Sequence, residues 1–129
     1  MKIHHVGYLV KTLSKASEAF EDLGFEAMDE VIFDEIRGVD ILFMKKDGYV
    51  IELVSPKHED AVVYNLMKKL GNTPYHFCYE VDDIVKTSKD LSEKGYVIID
   101  KPTCAVAIEG RNVIFLMHPF MGMIELLEK

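Results

Sequence analysis

The stretch of sequence that decides the fold is Ile3 to Leu13, IHHVGYLVKTL, because Pro74 to Ile84, PYHFCYEVDDI, repeats its pattern. The matching residues are 71 positions apart and include His5 with His76, Tyr8 with Tyr79 and Val10 with Val81. The same spacing carries Gly24 onto Gly95. Self-similarity at a fixed spacing is the sequence signature of a duplicated structural unit. The sequence therefore predicts one unit present twice.

A second pair of matching stretches extends the repeat to its end. YVIELVS, from Tyr49 to Ser55, matches GMIELLE, from Gly122 to Glu128, at a spacing of 73 residues. This match places Glu52 on Glu125. Because the spacing has grown from 71 to 73, two extra residues must lie within the second copy.

Each copy reads as a strand, then an amphipathic helix that ends at a glycine, then further strands. Ser14 to Leu23 has apolar residues at helical spacing with Gly24 as a C-terminal cap. Ile84 to Lys94 repeats this, with Asp82 or Asp83 as N-cap. Strands are predicted at 4–10, 25–33, 39–44 and 49–54 in the first copy, and at 96–100, 104–108, 113–117 and 123–127 in the second.

These elements predict an α+β fold made of two tandem βαβββ modules. The modules span about residues 1–56 and 73–129, and a helix at 60–71 joins them. A chain of 129 residues is long enough for one compact domain and too short for two ordinary ones. We therefore expect a single domain over residues 1–129.

Composition excludes several classes of function. The net charge is -7, from 15 basic and 22 acidic residues, which opposes nucleic-acid binding. The two cysteines, Cys78 and Cys104, are too few for a disulfide scaffold and fit a reducing compartment, so we expect a cytoplasmic protein. No apolar run approaches the roughly 20 residues of a spanning helix, and no signal sequence precedes the first strand. We therefore expect no membrane partner and no export.

The residues best placed for chemistry are those that occupy equivalent positions in the two copies. Glu52 and Glu125 each lie within an apolar strand pattern, where an unpaired buried carboxylate is costly and a metal ion would compensate its charge. Together with His5 and His76 they form an N2O2 donor set that suits Zn, Ni, Co, Fe or Mn. His4 points to the opposite strand face from His5, so we expect it to be structural.

The duplicated unit, the two histidine-containing strand starts and the closing MIELLE resemble the vicinal oxygen chelate superfamily over essentially the whole chain. The resemblance implies a half-closed mixed β barrel and a homodimer. It implies that His5, Glu52, His76 and Glu125 bind one divalent metal, with Ni or Co favoured and Zn as an alternative. It also implies that Glu125 moves a proton on a carbonyl or thioester substrate, and that Glu52 does so for one stereochemistry.

The substrate is predicted by further resemblance. The complete ligand set resembles glyoxalase I, a lactoylglutathione lyase that isomerises the hemithioacetal of methylglyoxal with glutathione or another thiol. The segments Met117 to Gly122 and Ser55 to Gly71 look more like methylmalonyl-CoA epimerase, which is the alternative. A non-catalytic ligand-sequestering protein and an Fe(II) oxygenase are further alternatives. Arg37 and Arg111 are candidates for binding a substrate carboxylate through bidentate hydrogen bonds. The alternative is that both are solvated surface residues.

Overall fold

All 129 residues are described by a computed structural model. Its strands are β1 (Lys2–Leu9), β2 (Glu26–Ala27), β3 (Ile32–Asp34), β4 (Val39–Lys46), β5 (Tyr49–Pro56), β6 (Thr73–Val81), β7 (Val97–Ile98), β8 (Thr103–Ala105), β9 (Arg111–His118) and β10 (Gly122–Glu128). Its helices are α1 (Leu13–Asp22), α2 (Tyr64–Leu70) and α3 (Ile84–Ser92), with one 3-10 turn at Val106–Ile108.

The chain divides into two compact units. The amino-terminal unit is Val6–Pro74, and the carboxy-terminal unit is Met1–His5 with Tyr75–Lys129. Strands of the amino-terminal unit run in the order β2-β4-β5-β1, and those of the carboxy-terminal unit run β6-β10-β9-β7. Strand β1 contributes residues to both units.

Both units mix parallel and antiparallel pairing. β1 pairs with β5 in parallel and β6 pairs with β10 in parallel, whereas β4–β5 and β9–β10 are antiparallel hairpins. Within each unit the strand order has two ends, β2 and β1 in one and β6 and β7 in the other, so neither unit closes into a ring. The predicted α+β class with a mixed, incompletely closed sheet is confirmed.

Each unit has its own apolar core, and the two cores use equivalent positions. One cluster contains Val10, Leu42, Met44, Ile51 and Leu53. The other contains Val81, Ile84, Ile114, Leu116, Ile124 and Leu126. Val10 matches Val81 at a spacing of 71, and Leu53 matches Leu126 at 73. Burying such side chains is the main favourable contribution to folding, at roughly 25 cal/mol per Å² of apolar surface.

The two extra residues of the second copy lie in two loops. Between β3 and β4 the loop covers residues 35–38, whereas its counterpart between β8 and β9 covers 106–110, one residue more. The β4–β5 hairpin turns through Asp47 and Gly48 alone, both with positive φ, as a tight two-residue turn requires. The β9–β10 turn uses residues 119–121, again one residue more. These two insertions account for the growth in spacing from 71 to 73.

Several predicted boundaries needed correction. The predicted strand at 104–108 ends at Ala105 and is followed by the 3-10 turn. This turn closes with Glu109 and Gly110 at positive φ, which a continuing strand cannot accommodate. The predicted strand at 25–33 is two short strands, β2 and β3. The single-domain assignment over residues 1–129 stays a prediction.

Candidate metal centre

Three of the four predicted donors come together inside the carboxy-terminal unit. His5 is contributed by β1, His76 by β6 and Glu125 by β10. Pairing between β6 and β10 sets Glu125 opposite Cys78, two residues beyond His76, so the imidazole and the carboxylate lie on neighbouring strands at nearly the same level. All three side chains are buried, at 1%, 4% and 4% exposure respectively.

The donor atoms of these three residues converge. Nε2 of His5 lies 3.4 Å from Nε2 of His76, and Oε1 of Glu125 lies 3.2 Å from each of these two nitrogens. Despite these short distances, Oε1 of Glu125 accepts no hydrogen bond from either ring. The two Nε2 atoms are close enough for one imidazole to donate to the other, with the direction set by the tautomer.

This geometry fits a shared metal ion. Ligands that each lie about 2.1 Å from one ion in tetrahedral geometry are about 3.4 Å apart. The three observed donor separations of 3.2 to 3.4 Å match that spacing. An acceptor oxygen buried without a hydrogen bond is rare in native proteins, and a cation among the three donors would satisfy it.

The electrostatic environment keeps Glu125 ionised. Burial raises the pKa of its carboxyl, but the close contacts with His5 and His76 outweigh burial and hold that pKa below its ordinary value. A carboxylate that stays charged inside a protein is suited to binding a cation or to accepting a proton.

Glu52, the fourth predicted donor, belongs to the amino-terminal unit. It is buried on β5, at 6% exposure, between Gly7 of β1 and Phe43 of β4. Its strand register is equivalent to that of Glu125, because Glu52 stands opposite Gly7 and Glu125 opposite Cys78, which are themselves 71 residues apart. The structure thus repeats the placement of the glutamate in both units.

His4 contacts the donor cluster through His5, which the strand alternation did not predict. Its Nδ1 lies 2.8 Å from Nδ1 of His5, although strand alternation had suggested that the two rings diverge. The rings stand nearly perpendicular, at 81°, with centroids 5.1 Å apart. Burial, followed by the neighbouring His5, lowers the pKa of His4. The histidine doublet itself was the available signal in the sequence.

Both arginines considered for substrate binding are in internal ion pairs. Arg37 Nη1 lies 2.8 Å from Oδ2 of Asp34, a buried carboxylate. Arg111 donates to Glu80 Oε2 at 2.8 Å and to the backbone carbonyl of Glu128 at 2.9 Å. These contacts tie neighbouring parts of the same unit together.

Comparison with known proteins identifies the family. Residues 4–115 match the family model described as Glyoxalase/Bleomycin resistance protein/Dioxygenase superfamily. The chain belongs to this superfamily. The predicted resemblance is therefore confirmed.

Three curated relatives of the chain are named as epimerases. The chain is 29% identical to the mitochondrial methylmalonyl-CoA epimerase of Dictyostelium discoideum, over 99% of its own length and 78% of the relative. It is also 29% identical to the ethylmalonyl-CoA/methylmalonyl-CoA epimerase of Cereibacter sphaeroides, over 99% and 97% of the two chains. These relatives favour the epimerase alternative over glyoxalase I.

A solved structure shares the fold. A variant of Streptomyces coelicolor methylmalonyl-CoA epimerase in complex with 2-nitronate-propionyl-CoA superposes with a TM-score of 0.84 at 24% identity, covering 100% of this chain and 94% of the other. No helix of the chain is long and apolar enough to cross a membrane. The homodimer, the cytoplasmic location and the absence of a nucleic-acid partner stay predictions.

Proposed function

We propose that the protein is a metal-dependent epimerase of a 2-substituted malonyl-CoA thioester such as methylmalonyl-CoA. The reaction removes the proton from the carbon between the carboxylate and the thioester carbonyl and returns a proton to its other face. The observation that carries the proposal is the buried convergence of His5, His76 and Glu125. The epimerase relatives supply the substrate class.

The proposed metal ligands are His5, Glu52, His76 and Glu125. Support for Glu52 comes from its burial and from the register that it shares with Glu125. Two imidazole and two carboxylate donors suit Ni, Co or Zn. When bound, a divalent ion supplies Lewis-acid stabilisation of the negative charge that develops as the proton leaves carbon.

The protein's own residues supply the proton transfer. Glu125 is ionised and buried, and we assign it the role of base toward one face of the substrate carbon. Epimerisation also requires an acid–base group toward the opposite face, and the equivalent carboxylate of Glu52 is assigned that role. His5 and His76 hold Glu125 in its charged form and fix the position of its carboxylate.

Glyoxalase I is the second candidate. A glutamate at position 52 completes the His, Glu, His, Glu set on which that interpretation depends. The same carboxylates would then move a proton between the two carbons of a hemithioacetal, with glutathione or another thiol as co-substrate. The chemistry required of Glu125 is the same in both candidates, so only the substrate separates them.

The test begins with protein stripped by a chelator and reloaded separately with Ni, Co or Zn. Incorporation of solvent deuterium at carbon 2 of methylmalonyl-CoA is followed by NMR, with inversion of one epimer followed by circular dichroism. Metal-dependent exchange and inversion are expected in the wild type and in Glu18→Gln, an exposed control on α1. Both activities should be lost in Glu125→Gln.

Failure of this assay has a defined meaning. If the loaded protein neither exchanges nor inverts methylmalonyl-CoA but forms S-lactoylglutathione from methylglyoxal and glutathione, the epimerase proposal is wrong and glyoxalase I replaces it. A loaded protein inactive in both assays would favour the ligand-sequestering alternative. Oxygen uptake with Fe(II) would favour the oxygenase alternative.

A further inference from the structure

His4 and His5 form a hydrogen bond in which either ring could be the donor. The two Nδ1 atoms are 2.8 Å apart, so they share one hydrogen, which one ring donates and the other accepts. His5 is almost completely buried, at 1% exposure, and His4 is half-buried beside it. Which ring donates determines which nitrogen of His5 carries a lone pair.

The opposite nitrogen of His5 belongs to the donor cluster. Its Nε2 lies 3.2 Å from Glu125 Oε1 and 3.4 Å from Nε2 of His76. A metal ion bound by these three donors requires a lone pair on His5 Nε2, which places the proton of a neutral His5 on Nδ1.

We propose that His4 is a positioning residue that accepts the Nδ1 proton of His5 and thereby turns the lone pair of His5 Nε2 toward His76 and Glu125. This inference deepens the proposed function, since it rests on His5 as a metal ligand. A histidine ligand commonly donates its second ring N–H to a nearby acceptor, which fixes both tautomer and ring orientation. His4, the residue before His5 on β1, supplies that acceptor.

A second metal site at His4, His5 and Cys78 is the competing explanation, because their donor atoms lie within 4.8 Å of one another. In such a site the Nδ1 atoms of His4 and His5 would both bind the ion and lie about 3.4 Å apart, as tetrahedral ligands do. The observed separation of 2.8 Å is instead that of a hydrogen bond. The contact therefore favours one ion bound through His5 over a second site.

The other repeat lacks this histidine. At the position equivalent to His4 stands Tyr75, whose ring packs edge-on against His76 with centroids 4.4 Å apart. Tyr75 restrains the ring of His76 by packing, whereas His4 contacts a ring nitrogen of His5. The proposed proton acceptor is accordingly specific to one of the two histidine ligands.

The experiment compares His4→Leu, which removes the acceptor, with His4→Asn, whose amide oxygen can replace it. His118→Asn is the control, since the ring of His118 accepts from the backbone N–H of Phe120 and packs on Tyr96. Nitrogen-15 NMR of the metal-free proteins reads the tautomer of His5, and competition with a chromophoric chelator reads zinc affinity and stoichiometry. Urea unfolding of the metal-free proteins measures any general structural damage.

Wild-type His5 should be protonated on Nδ1, and the protein should bind one zinc ion. His4→Leu should convert part of His5 to the Nε2-protonated form and weaken zinc binding by roughly 10- to 100-fold. His4→Asn should recover most of that loss, and His118→Asn should behave as the wild type. A purely structural role would lower stability without moving the tautomer.

Two results would overturn the inference. The first is a wild-type His5 protonated on Nε2, a finding that does not depend on any variant folding. The second is a folded His4→Leu whose zinc affinity stays within twofold of the wild type. A wild type that binds no zinc, nickel or cobalt would instead reject the proposed metal site, and the NMR tautomer would still decide the role of His4.

Discussion

Position by position, the two copies of the repeat share their core and their donor residues and differ in the residues around them. Val10 and Val81, like Leu53 and Leu126, are buried at equivalent places in equivalent clusters. The metal-donor residues also recur, as His5 with His76 and Glu52 with Glu125, but their neighbours differ: His4 aligns with Tyr75 and Gly7 with Cys78. Core packing and donor residues are therefore repeated, whereas the residues beside the donors are specific to one copy.

The largest expected effect tests the asymmetry of the two glutamates. Glu125→Gln should lower deuterium exchange into methylmalonyl-CoA by about 10²- to 10⁴-fold, because it removes a base and a contact 3.2 Å from both histidines. Glu52→Gln should lower exchange less, because Glu125 can still exchange the proton on its own face, whereas inversion should be lost with the second acid–base group. Initial exchange rates at saturating metal measure both. Equal losses of exchange rate would show that removal of the proton requires both carboxylates.

The next largest effect tests the equivalence of the cores. Leu53→Ala and Leu126→Ala each empty a fully buried site and should each lower the free energy of unfolding by about 2–5 kcal/mol. Urea denaturation of the metal-free protein measures both. Leu23→Ala, at an exposed position, should change stability by no more than about 0.5 kcal/mol. If only one of the two core substitutions lowers the free energy of unfolding, the equivalent clusters do not contribute equally to stability.

A pH-dependent effect should arise from Cys78, which has a glycine as its counterpart. Burial raises the pKa of this thiol from 9.0 to about 12. The unfolded thiol therefore ionises first, and folding stability falls as pH rises from about 9 toward 12, by up to about 1.4 kcal/mol per pH unit. Urea midpoints at pH 7, 9 and 10 measure the slope.

Two alanine variants isolate the contribution of this thiol. Cys78→Ala should flatten the alkaline loss of stability, whereas Cys104→Ala, at an exposed cysteine, should keep it. The comparison concerns the slope with pH, so a constant loss of stability in either variant does not affect it. An identical slope in both variants would mean that other groups cause the alkaline instability.

The smallest effect concerns the helix starts. Asp83 caps α3 by accepting a hydrogen bond from the backbone N–H of Lys86 at 3.0 Å, whereas Thr12 makes no side-chain cap for α1. Asp83→Ala should lower stability by about 0.5–2 kcal/mol, and Thr12→Asp should raise it by up to about 1 kcal/mol. Thermal unfolding measures both. A neutral Thr12→Asp would mean that water or neighbouring groups already satisfy this helix end.

The repeated features were the ones that the sequence predicted well. Gly24 and Gly95 both follow helices with φ near +97°, as the glycine-capped pattern indicated. The spacing change from 71 to 73 predicted two inserted residues, but their positions depend on strand register, which the sequence does not display. Strand alternation also misplaced His4, because it describes only average side-chain directions and does not capture the local approach of two adjacent rings.

Because β1 is divided between the two units, it affects the order in which they can fold during synthesis. Residues 6–74 form a compact unit, so the contacts within this unit can form once residue 74 has left the ribosome. Residues 1–5 are made before residues 6–74 but belong with a unit whose other members start at Tyr75. Closing so long a loop is slow and entropically unfavourable. His5 is therefore translated before the whole of the amino-terminal unit but reaches its final neighbours after that unit is complete.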